Sequence, residues 1–425
     1  MPSRPLVTDD SAPGGGRRAR EGRHTMTATT CEGCVCRSAV GAVAGSRLLV
    51  ASNVAHTLAG VKRLARSAGL TVRDSRPGYV EVEGRAVPDL IDALALELTS
   101  VELAEARALV LCGDEETGTA PGDSHDRATE LVGRALRAPT LAQLGARAAY
   151  GDVGRLLADE AAHFYSVYQP IVRLSDGGVA GHEALLRASG PEGPVMPEAM
   201  FTAAARAGWM HVLDRVGRTT ALHGAAGWLG DDWLFVNFVP TTIYRPEVCL
   251  RTTERAALDA ELRLDQIVFE ITESEEVRDV DHLARLFDYY RSRGCRVALD
   301  DLGSGFSSLN MMIRLEPDVV KIDRETVQQL PGRTASAVVT AIVDIARAAG
   351  TIVLAEGVET AEQADAAREL GVELAQGWHF GRPVTRTARA AELAAARPAF
   401  DAAPSGAARQ WSLEVDPAVA VAASR

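Results

Sequence analysis

Between residues 163 and 384, eight short apolar runs recur, and helical periodicity fills most of the gaps between them. The runs are FYSVYQPIV (164–172), VAGHEALL (179–186), WLFVNF (233–238), IVFEI (267–271), RVALD (296–300), DVVKI (318–322), IVLAE (352–356) and VELAQ (372–376). Amphipathic stretches such as 282–293, 334–349 and 361–370 lie between them. A strand covered on both faces reads as a continuous apolar run, and parallel neighbours need a long, usually helical, crossover. Eight such strands alternating with helices predict an α/β protein built on a TIM-like (β/α)8 barrel over residues 163–398. An open doubly wound sheet is the second choice. No Gly-x-Gly-x-x-Gly follows a run, so dinucleotide binding has no support.

Seven of the runs end near one residue that an apolar strand does not need. These are Glu183, Asn237, Glu270, Asp300, Lys321, Glu356 and Gln376. Catalytic groups of a TIM barrel project from the C-terminal rim, which is where these residues fall. A single polar strand end is ordinary, but seven in succession point to a site. Glu183, Glu270, Asp300, Asp301 and Glu356 contribute −5 and Lys321 +1, leaving −4. Carboxylates crowded in a cleft repel one another and take up protons unless cations neutralise them. Two divalent ions supply the balance, and oxygen donors suit Mg²⁺ or Mn²⁺. Two ions about 4 Å apart suit in-line attack of water on a phosphodiester. No histidine occupies a strand end. His182 should face away from Glu183, and His379 falls near the rim; packing or supporting roles are expected for both.

The scarcity of lysine sharpens one position. Of 45 Lys plus Arg only Lys62 and Lys321 are lysine, so Lys321 stands out in a chain that otherwise uses arginine. The net charge of −12 argues against a nucleic-acid polymer as partner. No run of 18 apolar residues is present and the N-terminus lacks an apolar core, so no membrane insertion and a cytoplasmic location are expected.

Residues 1–45 read as a disordered leader carrying Cys31, Cys34 and Cys36, with Met26 an alternative start. That spacing would suit zinc, an iron–sulfur cluster or a redox switch, given a fourth ligand such as His24 or Cys112. With none assigned, a leader without metal is favoured. Residues 46–113 predict a small α/β unit for sensing or dimerisation, with TVRD and YVEVEG as a hairpin. Residues 114–162 read as a linker and helices, and 399–425 as a flexible tail.

Residues 163–384 resemble the EAL-domain family of bacterial cyclic di-GMP phosphodiesterases. Tyr168-Gln169-Pro170-Ile171 is similar to the opening strand, and Glu183-Ala184-Leu185-Leu186-Arg187 is the name motif. Glu270-Ile271-Thr272-Glu273, the loop from Asp300-Asp301 to Leu309, Lys321-Ile322-Asp323, Glu356-Gly357-Val358-Glu359-Thr360 and Gln376-Gly377 follow in order. The resemblance implies hydrolysis of cyclic di-GMP to linear pGpG with two Mg²⁺ or Mn²⁺ ions. It implies Glu183, Asn237, Glu270 and Asp300 on one metal, and Asp300 and Asp301 on the second. Lys321 and Glu356 would hold the attacking water, aided by Gln376. Gln169 and Arg187 would contact the dinucleotide, Glu273 would anchor the Asp300–Leu309 loop, and the working unit would be a homodimer. A binding-only receptor for the same dinucleotide is the alternative, but its usual mark, loss of a metal ligand, is absent. Val239, Leu302, Ser304, Phe306 and Trp378 depart from the family pattern without removing a ligand.

Overall fold

A computed structural model describes residues 45–111, 138–272, 279–302 and 308–396. The cysteine cluster at 31–36, Cys112, Glu273, the loop 303–307, the side chain of Asp301 and the C-terminal tail lie outside the described residues.

The N-terminal unit contains β1 (Arg47–Ala51), β2 (Thr71–Arg76), β3 (Tyr79–Glu83) and β4 (Arg107–Leu111). They form an antiparallel sheet in the order β2-β3-β1-β4. Helix Ala55–Ser67 joins β1 to β2, and helices Val87–Glu97 and Ser100–Glu105 join β3 to β4. That β-α-β-β-α-β order is the split βαβ arrangement. The expected β2–β3 hairpin is present. The helical stretch between β3 and β4 is broken at Leu98–Thr99, because Thr99 and Glu102 form a capping box that starts a new helix.

The larger body is a closed eight-stranded barrel, and each of the eight apolar runs is one of its strands. They are β5 (Phe164–Arg173), β6 (Val179–Gly190), β8 (Trp233–Asn237), β9 (Ile267–Thr272), β10 (Arg296–Leu302), β11 (Val319–Ile322), β12 (Ile352–Ala355) and β13 (Leu374–Gln376). The short β7 (Gly193–Val195) and β14 (Val384–Thr385) extend β6 and β5. The barrel closes because β5 pairs with both β6 and β13. One strand departs from a fully parallel barrel: β5 runs against both neighbours. Its link to β6 spans only Leu174 to Gly178, which allows a hairpin but not a crossover.

Period-two alternation fills the barrel. Phe235, Val268, Ala298, Val319, Leu354 and Leu374 plug the interior together with Ile171. The side chain two residues further along each of those parallel strands points the same way, one layer nearer the C-terminal rim. Those side chains are Asn237, Glu270, Asp300, Lys321, Glu356 and Gln376. On the antiparallel β5 the order reverses, so Gln169 lies two residues before Ile171. The apolar plug is thus the floor of the polar site.

Candidate active site

Local signals place each group at the rim and turn the chain away just beyond it. Asp323 accepts from the Thr326 N–H (3.0 Å) and hydroxyl (2.7 Å), starting a helix two residues after Lys321. Thr360 and Gln363 form a capping box four residues after Glu356. Gly377 follows Gln376 because the backbone lies on Val358: a Cβ there would sit 2.0 Å from the Val358 carbonyl oxygen. The register of β10 on β11 shifts between Leu299 and Leu302, a bulge that coincides with the Asp300-Asp301 pair.

Two hydrogen-bonded groups meet at the rim. In the first, Glu183 accepts from the amides of Asn237 (3.1 Å) and Gln376 (2.6 Å). Gln376 Nε2 is also 3.1 Å from Gln169 Oε1, and Gln169 donates to the Gly381 carbonyl at 3.1 Å. In the second, Lys321 Nζ lies 3.0 Å from Glu270, 3.3 Å from Asp300 and 2.5 Å from Glu356. Lys321 is 1% exposed and Glu270 fully buried. Arg187 stands four residues beyond Glu183, on the same face of β6. Its guanidinium donates to the Leu186 carbonyl at 2.8 Å. The structure therefore gathers Gln169, Glu183, Asn237, Glu270, Asp300, Lys321, Glu356 and Gln376, and leaves Arg187 further along the strand.

Burial and like charge set the protonation of the cluster. Burial, with Glu183, Asp300 and Glu356 close by, raises the Glu270 carboxyl well above the usual range despite Lys321. Burial raises Glu356 to about 8, against the pull of Lys321. For Glu183, burial is outweighed by Lys321 and by its hydrogen bonds, so its pKa falls. Burial opposes charge on Lys321, but four surrounding carboxylates outweigh it and the ammonium persists.

Glu270 Oε2 and Gln376 Oε1 are buried without a partner. Buried polar atoms normally find one. Orphaned oxygens inside an excess of carboxylate are the donor chemistry of a hard divalent cation, so the residue set fits Mg²⁺ or Mn²⁺. Among the described residues no three His, Cys, Asp or Glu side chains are grouped so as to hold a metal ion by themselves. The fit therefore rests on the character of the donors.

His182 faces away from the site, as expected, whereas His379 is exposed. His182 is fully buried on the outer face of β6, accepts from Arg389 at 2.8 Å and packs edge-on to Trp228. Two features of this region were not anticipated. Trp378 stands half-exposed at the rim, with the Arg382 guanidinium 4.0 Å and that of Arg324 5.6 Å from its ring centroid. A buried Asp214–Arg218 pair lies behind Asn237.

Fold and site together define a TIM-like barrel protein with an acidic, oxygen-rich cluster at the C-terminal ends of its strands. The family model for the EAL domain matches residues 153–383, more than half of the chain, and the chain belongs to that family. It is 31% identical over 232 residues to PdeI of Escherichia coli, a probable cyclic di-GMP phosphodiesterase, covering 53% of this chain and 29% of that protein. It is 31% identical over 227 residues to MucR of Pseudomonas aeruginosa, a bifunctional diguanylate cyclase/cyclic di-GMP phosphodiesterase, covering 51% and 32%. The solved EAL domain protein of Listeria monocytogenes superposes with a TM-score of 0.52 at 22% identity over 58% of this chain and 98% of that one, a likeness of fold. The chain spans between 26% and 30% of the first curated relatives it matches. No described helix is long and apolar enough to cross a membrane.

Proposed function

We propose that the barrel hydrolyses one phosphodiester bond of cyclic di-GMP to give linear pGpG. The observation that carries this reading is the buried Lys321–Glu270–Asp300–Glu356 cluster at the rim of an EAL barrel, with Glu183 and Asn237 beside it. The cyclic di-GMP phosphodiesterase assignments of the relatives PdeI and MucR support the substrate.

In this reading Glu183, Asn237, Glu270 and Asp300 would hold one Mg²⁺ or Mn²⁺, and Asp300 with Asp301 the second. Such ions would acidify a bound water and offset charge on the phosphoryl oxygens. The chain's own groups do the rest. Lys321 keeps its proton and donates hydrogen bonds toward the attacking water. Glu356, 2.5 Å from Lys321 Nζ, would take up the proton of that water. Gln376 fixes Glu183 through its amide, and Glu273 would anchor the loop after Asp301. Arg187, with a fork suited to phosphate oxygens, and Gln169 would engage the dinucleotide. A homodimer and a cytoplasmic setting belong to the same reading.

The test is the full chain with cyclic di-GMP and Mg²⁺ or Mn²⁺, followed by chromatography, beside Glu183→Ala. Formation of pGpG by the wild type and its loss in the variant are expected. Binding without pGpG would replace the phosphodiesterase with a receptor, and wild-type turnover by Glu183→Ala would overturn the site assignment. Light scattering of the same preparation reports the dimer.

A further inference from the structure

Asn237 presents a problem of aim. Its side chain is exposed at the cleft, so packing does not fix it, yet the reading above needs its amide beside Glu183. Its direction therefore depends on the backbone where β8 ends. Two consecutive N–H groups beyond Asn237 are both tied. The Phe238 N–H donates to the Glu270 carbonyl at 3.0 Å, on the neighbouring strand. The Val239 N–H donates to Asp214 Oδ1 at 2.8 Å, from helix Met210–Ala225 outside the barrel.

Asp214 is built into that position. Its side chain is 1% exposed and that of Arg218, one turn on, is 3% exposed. Oδ2 accepts from Arg218 Nε (3.1 Å) and Nη2 (2.7 Å), and from the Thr242 hydroxyl (2.9 Å). Arg218 also donates to the Thr253 hydroxyl. A buried ion pair is a poor source of stability compared with apolar side chains of similar volume. Here the pair has a specific load: Val239 and Thr242 bracket the turn that carries the chain out of β8. The Val239 side chain offers no hydrogen bond. Asp214 holds that position through the backbone.

We propose that Asp214, braced by Arg218, is a positioning residue that sets Asn237 in the rim and thereby tunes the affinity of the cluster for divalent cations. It acts through Asn237 and touches neither substrate nor ion. The inference rests on the reading of Asn237 as a ligand.

The experiment measures Mn²⁺ binding to the nucleotide-free full chain by calorimetry and by the loss of free-Mn²⁺ spin-resonance signal. The double variant Asp214→Leu/Arg218→Met replaces the pair with apolar side chains and leaves the Val239 N–H unheld. Thr242→Val keeps the pair and removes one strut. Supporting-residue changes around metal sites typically weaken binding about 10–100-fold, so the double variant should weaken Mn²⁺ binding by roughly tenfold or more. Thr242→Val should shift it in the same direction by less. Mn²⁺ affinity within twofold of wild type in a cooperatively melting double variant overturns the proposal. If that variant does not fold, unchanged affinity in Thr242→Val does so. Wild-type chain that binds no Mn²⁺ overturns the metal reading, and this inference with it. Wild-type binding with unchanged variants overturns the inference alone.

Discussion

Replacing Lys321 with methionine keeps an unbranched apolar stem of similar length and removes one charge from the centre of the cluster. Its ammonium meets Glu270 at 3.0 Å, Asp300 at 3.3 Å and Glu356 at 2.5 Å, all inside the protein. At an effective dielectric of about 20, a contact near 3 Å is worth roughly 5 kcal/mol before desolvation. Removing one partner of a buried pair costs about 3–5 kcal/mol net, because the survivor is left uncompensated. The loss must depend on pH. Lys321 now holds down Glu270, raised well above its usual range, and Glu356, raised to about 8. Without it both rise further. A carboxyl whose folded pKa lies above its unfolded value gives stability that is complete below about pH 4.5 and is lost as pH climbs through the folded pKa. Near pH 5.5, protons replace the missing ammonium and the deficit should shrink to about 1 kcal/mol. At pH 9 it should approach the full 3–5 kcal/mol, on the order of 5 °C in melting temperature for a chain of this size. Melts followed by circular dichroism in EDTA at the two pH values measure both deficits, and Mg²⁺ added at pH 9 should recover part of the second. Equal deficits at pH 5.5 and pH 9 would refute the electrostatic coupling, as would no deficit at pH 9.

Lys321→Arg keeps the charge but substitutes a planar fork for a compact ammonium; its kcat should fall by about 100-fold or more, and near-normal turnover would mean the role assigned to Lys321 is wrong. Burial and Arg389 lower His182 to about 3. A depressed folded pKa gives stability that is complete above the unfolded value near 6.5 and is lost as pH falls toward 3, at about 1.4 kcal/mol per pH unit. The stability of the wild type relative to His182→Gln should therefore fall by about 2 kcal/mol between pH 7 and 5 in denaturant melts, and a difference that does not change with pH would count against a neutral buried imidazole. Burial pushes the Cys295 thiol up to about 12. Iodoacetamide at pH 8 should then leave it unmodified in the folded chain and label it in urea, as read by peptide mass mapping; rapid native labelling would contradict its burial.

The barrel and most of its rim were legible because they rest on short-range rules. Strands buried on both faces cannot hide their apolar character, and period two carries a residue such as Val319 inward and then Lys321 two places later. The reversed direction of β5 was also present in the sequence, in the five residues from Leu174 to Gly178 that are too few for a crossover, but eight similar runs invite one uniform reading. Asp214 could not be read in the same way. It sits on a helix between amphipathic neighbours, and its target is a backbone N–H 25 residues away, which leaves no trace in residue type at position 239. Trp378 was visible only as a substitution; its two arginines come from the start of helix Arg324–Gln328 and from the loop before β14, which only the barrel brings together. Position at a strand end is local information, whereas support from behind a strand is tertiary.

The same distinction bears on how the two bodies of the chain are joined. Residues 138–163 lie between them in sequence, but much of that stretch is built into both cores and is not a free spacer. Thr140 bridges to Arg107, and the Leu141 N–H donates to the Ala106 carbonyl at 2.8 Å, stitching the start of helix Leu141–Ala149 to β4. Leu141 and Leu144 are buried in the N-terminal core. Ala146 of the same helix packs with Trp209 and its neighbours beside the barrel, and Arg147 donates to the Ala207 carbonyl at 3.0 Å. Ala207 and Trp209 lead directly into helix Met210–Ala225, which carries Asp214. One helix therefore serves two cores, so neither can shift against it without opening apolar contacts or freeing a buried hydrogen bond. A displacement of the N-terminal sheet large enough to matter must move this helix. The element next in contact is the one that holds the turn after Asn237, and this places the most direct physical connection between sheet and rim on the wall of the barrel behind β8.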